Sequence, residues 1–324
     1  PKIPADAAKN RRNAGYFEVR RNAWNEDKAL LCHAHSKGVK VVVKHNFDDV
    51  VRLCDPSVRR DWIQVTYSKI VQNYADGVNI DTEKPMNGAT SHCLALLVQE
   101  LRRELELHAL TKNAQITFDV PWAPRGVDGR YYPWRELAAA VDFLFVMSYD
   151  MRSQIYDACL AGANSPLALV KQGLREFLLG YEIDPAKLVL GVPWYGYKYP
   201  CQHATTAASS SCQIQAVPFF DAPCSDAAGS QVDYGDIRRL IRTQGLVEQW
   251  DAVSESPFVW DSPVEGSQHF QIWFDSPRSL AIKYRLVREL QLRGVGMWNA
   301  DTLDYSEGAL NDTRLMWNAL QGAF

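Results

Sequence analysis

The segment Asp76-Gly77-Val78-Asn79-Ile80-Asp81-Thr82-Glu83 sets an amide and two carboxylates at alternate positions of a short apolar run. Alternate residues of a β-strand share a face, so Asn79, Asp81 and Glu83 project to one side and Val78, Ile80 and Thr82 to the other. Polar side chains in register on one face of a buried strand carry a high desolvation cost unless they are hydrogen-bonded or used. Cleavage of an acetal uses such a set. It needs a carboxylic acid that keeps its proton until it reaches the leaving oxygen, and a carboxylate two residues earlier holds that proton by like-charge repulsion. Glu83 is therefore the candidate proton donor and Asp81 the anion beside it. Asp76 has the opposite parity, and its expected role is structural.

The elements that must position this segment read as alternating strands and helices. Strands are expected over residues 16–20, 39–44, 77–82, 115–121, 142–149, 187–195 and 294–299, and amphipathic helices over 91–107, 166–179 and 279–293. VKVVVK, VDFLFVMSYD and KLVLGVPWYG are nearly continuous apolar runs, the mark of parallel strands covered on both faces. The alternation fits an α/β fold of the TIM-type (β/α)8 barrel class or a doubly wound sheet. The absence of a GxGxxG or Walker A turn favours the barrel, whose strand ends carry the chemistry. The expected organisation is one catalytic domain over 1–324, with an irregular polar arm at 1–15. A loop and hairpin insertion at 196–268, rich in Ser, Gly, Pro and Cys, is expected on the catalytic face. Between 16–20 and 39–44 only a loop and a helix can be read, so seven barrel strands are expected and the second is missing. Either another segment fills the gap, or the chain is a shortened form with unpaired strand edges.

The 324 residues are 47% hydrophobic, enough for a sizeable core and incompatible with global disorder. A net charge of -3 argues against nucleic acid or an anionic membrane surface as a partner. No apolar stretch reaches the roughly 18 residues of a membrane span. The seven cysteines form no CxxC pair, and His33 and His35 beside Cys32 face different ways on a helix, so no metal site is expected. Cys201, Cys212 and Cys224 share a loop-rich stretch where a bridge fits an oxidising compartment, and the odd total leaves a free thiol. Asn311-Asp312-Thr313 is a glycosylation sequon in an expected C-terminal helix.

DGVNIDTE resembles the DxxDxDxE signature of family 18 of the glycoside hydrolases, the chitinases and their relatives. VMSYD at 146–150, GVPWYGY at 191–197, WFDSPRSLAIK at 273–283 and GVGMWNAD at 294–301 resemble further stations of that family, in its order along the chain. The resemblance implies a retaining reaction without an enzyme nucleophile, in which the 2-acetamido oxygen of an N-acetylglucosamine residue attacks its own anomeric carbon. Glu83 is then general acid and afterwards general base, while Asp81 orients the acetamido N–H and offsets developing charge. Tyr149 hydrogen-bonds the acetamido carbonyl, and Met147 and Asp150 line the same subsite. Trp298 forms an apolar floor. Trp194 and Tyr195 are candidate cleft residues, and Asp119 a candidate substrate contact. Asn79, a further candidate for substrate binding, departs from the family's Asp: it can hydrogen-bond Asp81 but cannot take its proton. CHAHSKG, APCSDAAG and RGVGMWNADTLDYS are similar to one branch of the family, which releases the reducing-end N-acetylglucosamine from the chitobiose core of free N-linked glycans. That branch implies a lysosomal or secreted monomer with no cofactor and a GlcNAc-containing oligosaccharide as substrate. The rival expectation is a lectin that binds such oligomers without cutting; the intact Glu83 counts against it.

Overall fold

Strand β2, preceded by strand β1 (Val43–Lys44), covers Gly77–Ile80 and starts at a glycine for a steric reason. At Gly77 φ is 154°, and a Cβ there would lie 1.9 Å from the carbonyl oxygen of Gln115 on the next strand. The structure, a computed structural model, describes residues 24–202, 211–261 and 268–323. Three further strands follow, β3 (Gln115–Pro121), β4 (Phe143–Met147) and β5 (Leu188–Pro193), and every residue of β5 is buried. Together with the last strand, β11 (Gly294–Trp298), they form a six-stranded parallel sheet in the order β1-β2-β3-β4-β5-β11. Crossover helices α2 (Pro56–Gln72), α3 (Gly88–Leu107), α4 (Trp134–Ala140), α5 (Leu167–Arg175) and α7 (Pro277–Glu289) cover it; α1 (Trp24–Ser36) precedes β1. Helix α2 opens with Pro56 at its first position and the Asp55 carboxylate accepting the Ser57 N–H. Helix α3 buries Leu94, Leu97, Val98, Leu101 and Leu105, a stripe at helical spacing.

This is an incomplete (β/α)8 barrel. Within the described residues β1 and β11 are its edges. The expected strand at 16–20 lies outside the described residues. The expected strand at 39–44 contracts to Val43–Lys44, yet Val41 still runs beside β2: its N–H donates to the Asp76 carboxylate at 2.7 Å, and the Asp76 N–H returns to its carbonyl. Asp76 also meets His35 Nε2 at 2.8 Å, so it ties three segments together at the base of the sheet, as its parity implied.

The expected loop and hairpin insertion is a sheet of its own. Five antiparallel strands, β6 (Tyr195–Pro200), β7 (Ser230–Asp233), β8 (Gln249–Asp251), β9 (Ser256–Asp261) and β10 (Phe270–Trp273), lie in the order β7-β6-β10-β9-β8, with helix α6 (Tyr234–Gln244) between β7 and β8. Its aromatic face, including Tyr197, Tyr199, Phe258 and Trp273, packs on Met147 and Tyr149 at the end of β4. Three disulfides, Cys54–Cys93, Cys159–Cys224 and Cys201–Cys212, brace these parts, and the free thiol is the exposed Cys32. Where β10 gives way to α7, Lys283 and Asp275 form a fully buried ion pair, and Ser279 donates to the same carboxylate. Helix α8 (Leu310–Ala319) closes the described chain, and no described helix is long and apolar enough to cross a membrane.

Candidate active site

Beyond the end of β2 the chain stays extended, and Asp81 and Glu83 keep the face begun by Asn79. Asn79 is fully engaged inside the sheet. Its amide donates to Asp119 Oδ2 at 2.8 Å, and its carbonyl accepts from Thr117 Oγ1 at 2.6 Å. Asp81 sits one step higher. Asn46 receives its N–H, and its Oδ2 accepts from Lys44 Nζ at 2.5 Å. Its Oδ1 is buried and meets no fixed donor. Glu83 is the neighbouring acid that hydrogen-bonds with Asp81.

Glu83 occupies the rim, with half of its side chain exposed. Burial first, and the Asp81 charge second, raise its carboxyl from 4.5 to about 7; the Arg130 guanidinium, 3.0 Å away, opposes this, and hydrogen bonding with Asp81 adds to it. Arg130 is itself buried and shares its other arm with Asp128 at 3.0 Å. Beneath them burial, and then Asp81, push the Asp119 carboxyl well above the usual carboxylate range.

The opposite wall is the end of β4. Asp150 has a φ of 51°, a left-handed conformation unusual for a residue with a side chain, and its N–H is held by Asn164 Oδ1 at 2.6 Å. Its Oδ1 accepts two phenol hydroxyls, from Tyr195 at 2.5 Å and Tyr197 at 3.1 Å. Burial raises the Asp150 carboxyl, and the two tyrosines hold it back. Tyr149 is buried edge-on against Tyr195, with ring centroids 6.1 Å apart. Burial, and then the carboxylates Asp119 and Asp150, push its hydroxyl well above the usual phenol range, so it stays a donor.

A cavity of about 200 Å³ opens between these walls. Glu83, Met147, Tyr149 and Asp150, named from the sequence, line it together with Asp128, Arg130, Tyr197 and Asp226, which sequence reasoning missed. Burial, then Asp150 and Asp128, raise the Asp226 carboxyl to about 7. Asp81 and Asn79 lie behind Glu83, outside the cavity lining.

Five expectations need correction, the first being Asn79, whose side chain is taken up by Asp119 and Thr117 and does not line the cavity. Trp194 is fully buried on the helix side of the sheet, where Nε1 donates to Tyr284 Oη at 3.1 Å and its ring meets Trp317 edge-on at 4.9 Å. Successive residues face opposite ways in an extended chain, so Trp194 goes to the helices and Tyr195 to the catalytic side. Tyr195 is buried behind Asp150 and does not line the cavity. Asp119 is likewise a layer deeper than a substrate contact, held by Asn79. Trp298 ends β11 with 38% of its surface exposed but is not part of the wall around Glu83.

The missed residues differ in how visible they were. Lys44 is a charge inside a run otherwise fit for burial, and Tyr197 shares parity with Tyr195. Asp128, Arg130 and Asp226 sit in loops, where spacing carries no information about direction.

Comparison with known proteins agrees with this geometry. Residues 25–302 match the model of glycosyl hydrolases family 18. The chain is 40% identical over 300 residues to di-N-acetylchitobiase of Rattus norvegicus, covering 91% of this chain and 80% of that protein. It is 39% identical over 297 residues to the enzyme of the same name from Homo sapiens, covering 91% and 76%. The fold is like that of a class V chitinase from Nicotiana tobaccum, with a TM-score of 0.75 at 18% identity over 95% of this chain and 88% of that one. It is also like a plant class V chitinase mutant from Cycas revoluta in complex with (GlcNAc)3, with a TM-score of 0.74 at 19% identity over 93% and 87%. An incomplete barrel that holds Asp81 and Glu83 just past the end of β2, matched along most of its length by these sequences, belongs to glycosyl hydrolases family 18 and is a glycosidase.

Proposed function

We propose that the protein is a retaining, substrate-assisted hydrolase of the β-1,4 bond between N-acetylglucosamine residues, releasing the reducing-end sugar from the chitobiose core of N-linked glycans. The observation that carries this is Glu83, kept protonated beside Asp81 at the mouth of a cavity that also holds Tyr149. A sugar seated there brings its glycosidic oxygen to the Glu83 proton. Its acetamido oxygen attacks the anomeric carbon, the bond to the leaving sugar breaks, and Glu83 transfers its proton to the leaving oxygen. Tyr149 Oη donates to the acetamido oxygen and aligns it. The Asp81 charge, fixed behind Glu83, opposes the positive charge that grows on the ring and on the acetamido nitrogen; a preset charge is worth most where charge develops during the reaction. The Glu83 carboxylate then takes a proton from water as that water opens the intermediate, and configuration at the anomeric carbon is retained.

The names of the similar enzymes, and the GlcNAc oligomer bound by the Cycas revoluta relative, support this substrate class. The disulfides support maturation in an oxidising compartment, in keeping with a lysosomal or secreted monomer. The test is hydrolysis of chitotriose labelled at its reducing end, comparing the parent with Glu83→Gln. We expect labelled monosaccharide as the first product and a loss of about 10²–10⁴-fold in kcat for the variant. Equal rates would remove Glu83 from the reaction, and binding without turnover in the parent would make the protein a lectin.

A further inference from the structure

Among the described residues, the carboxylate face of β2 is answered from the neighbouring strand by Lys44. Lys44 ends β1 and pairs in register with Asn79, one residue-pair below Asp81. Its stem rises past that amide, and its Nζ meets Asp81 Oδ2 at 2.5 Å. Both partners are partly withdrawn from water: 27% of the lysine side chain and 12% of the aspartate side chain are exposed. Lys44 and Asp81 both lie outside the cavity lining, so the lysine is not placed to touch a ligand there.

From the reading of Glu83 and Asp81 given under Proposed function, we propose that Lys44 is a positioning residue for the reaction: it supplies the counter-charge that keeps Asp81 anionic and fixed behind Glu83. Several groups face this point. Glu83 lies on the same strand segment, Asp119 on β3 is hydrogen-bonded to Asn79, Tyr149 and Asp150 stand at the end of β4, and Arg130 approaches from the loop after β3. Among these, Arg130 is committed to Glu83 and Asp128. Among the described residues Lys44 is thus the cation in direct contact with Asp81. Asn79 fits this arrangement, since a neutral amide neither competes with Asp81 for the ammonium nor takes its proton. Burial works against the Lys44 charge, but its hydrogen bond to Asp81 and the charges of Asp81, Asp119 and Glu83 outweigh it and raise its pKa. Without the cation, an anion in this acid-rich pocket is answered only by taking up a proton, and the asymmetry between Asp81 and Glu83 is lost.

The experiment compares the parent, Lys44→Met, Lys44→Gln and Lys44→Arg for kcat and KM on chitotriose across pH, with Glu83→Gln as an inactive control. Thermal melts confirm folding, and a carboxyl ¹³C NMR titration of the free proteins reads charge without turnover. For Lys44→Met we expect a KM within about threefold of the parent and an acid limb of the rate profile moved up by about one pH unit or more. At pH values below the limb this lowers kcat by about tenfold. Lys44→Arg should return the limb towards the parent, because charge rather than shape is at issue. Lys44→Gln carries the comparison if the methionine variant does not fold. In the NMR titration, the lowest carboxyl transition of the β2 cluster should rise by about one pH unit in the neutral variants. An unmoved acid limb together with an unmoved carboxyl transition overturns the role of Lys44. An inactive parent whose carboxyl transition still moves when the cation is removed overturns the hydrolytic reading instead and leaves the ion pair's electrostatic effect established.

Discussion

Raising the pH removes the proton on which Glu83 depends, and the structure indicates where that loss should fall. The raised value means that the acid form survives above the ordinary glutamate range and that activity declines as pH rises through it. Burial is the first cause and the Asp81 charge the second, carrying the carboxyl from 4.5 to about 7. Half of the Glu83 side chain meets solvent in the free protein, so its burial is completed only when a sugar covers the rim. The alkaline limb of kcat/KM, which reports the free enzyme, should therefore stand near pH 7, and that of kcat, which reports the bound complex, at or above it. At about pH 6 a carboxyl with a pKa of about 7 is roughly nine-tenths protonated, against roughly three in a hundred for an ordinary glutamate; that is about 30-fold in active form, or about 2 kcal/mol. Asp81→Asn removes the neighbouring charge and leaves the burial. Its residual activity should show an alkaline limb lower by about one pH unit and still above the ordinary range. The assay is initial rate on chitotriose from about pH 4 to pH 8, normalised to the maximum for each protein. A parent limb near the ordinary glutamate range, or a limb that Asp81→Asn leaves in place, would refute the cause assigned to the shift.

Two further outcomes follow from the packing. Trp194→Ala should cost about 3–5 kcal/mol in chemical denaturation, because it empties a site between the sheet and Trp317, while kcat/KM per folded molecule stays within about threefold. Tyr195→Phe deletes one of the two hydroxyls on Asp150, and we expect kcat/KM to fall about tenfold, with a loss of about 1 kcal/mol in stability read by thermal melting.

The parity of the β2 segment was enough to place Asp81 and Glu83 side by side and to send Asp76 to the base of the sheet, because strand alternation is a local rule. The same rule separates Trp194 from Tyr195 but does not say which of them faces the helices; that depends on the next layer, supplied by Tyr284 and Trp317 from distant helices. Tyr195 and Asp119 matter to the site through Asp150 and Asn79, and such indirect roles leave no spacing signal. Arg130 reaches Glu83 across 47 residues from a loop whose path no periodicity fixes. The insertion concealed a five-stranded sheet because its strands are short and interrupted by Ser- and Gly-rich turns, so composition dominated pattern.

The Cys159–Cys224 bridge has a consequence for the cavity rim. Cys224 lies two residues before Asp226, and Cys159 belongs to the segment that leaves β4, so one covalent bond pins the far rim of the cavity to the barrel. The barrel carries its own bridge, Cys54–Cys93, from the loop before α2 to α3, over an apolar core. Breaking the Cys159–Cys224 bridge alone should therefore loosen the surface that grips the ligand while the barrel keeps its own bridge and its apolar core.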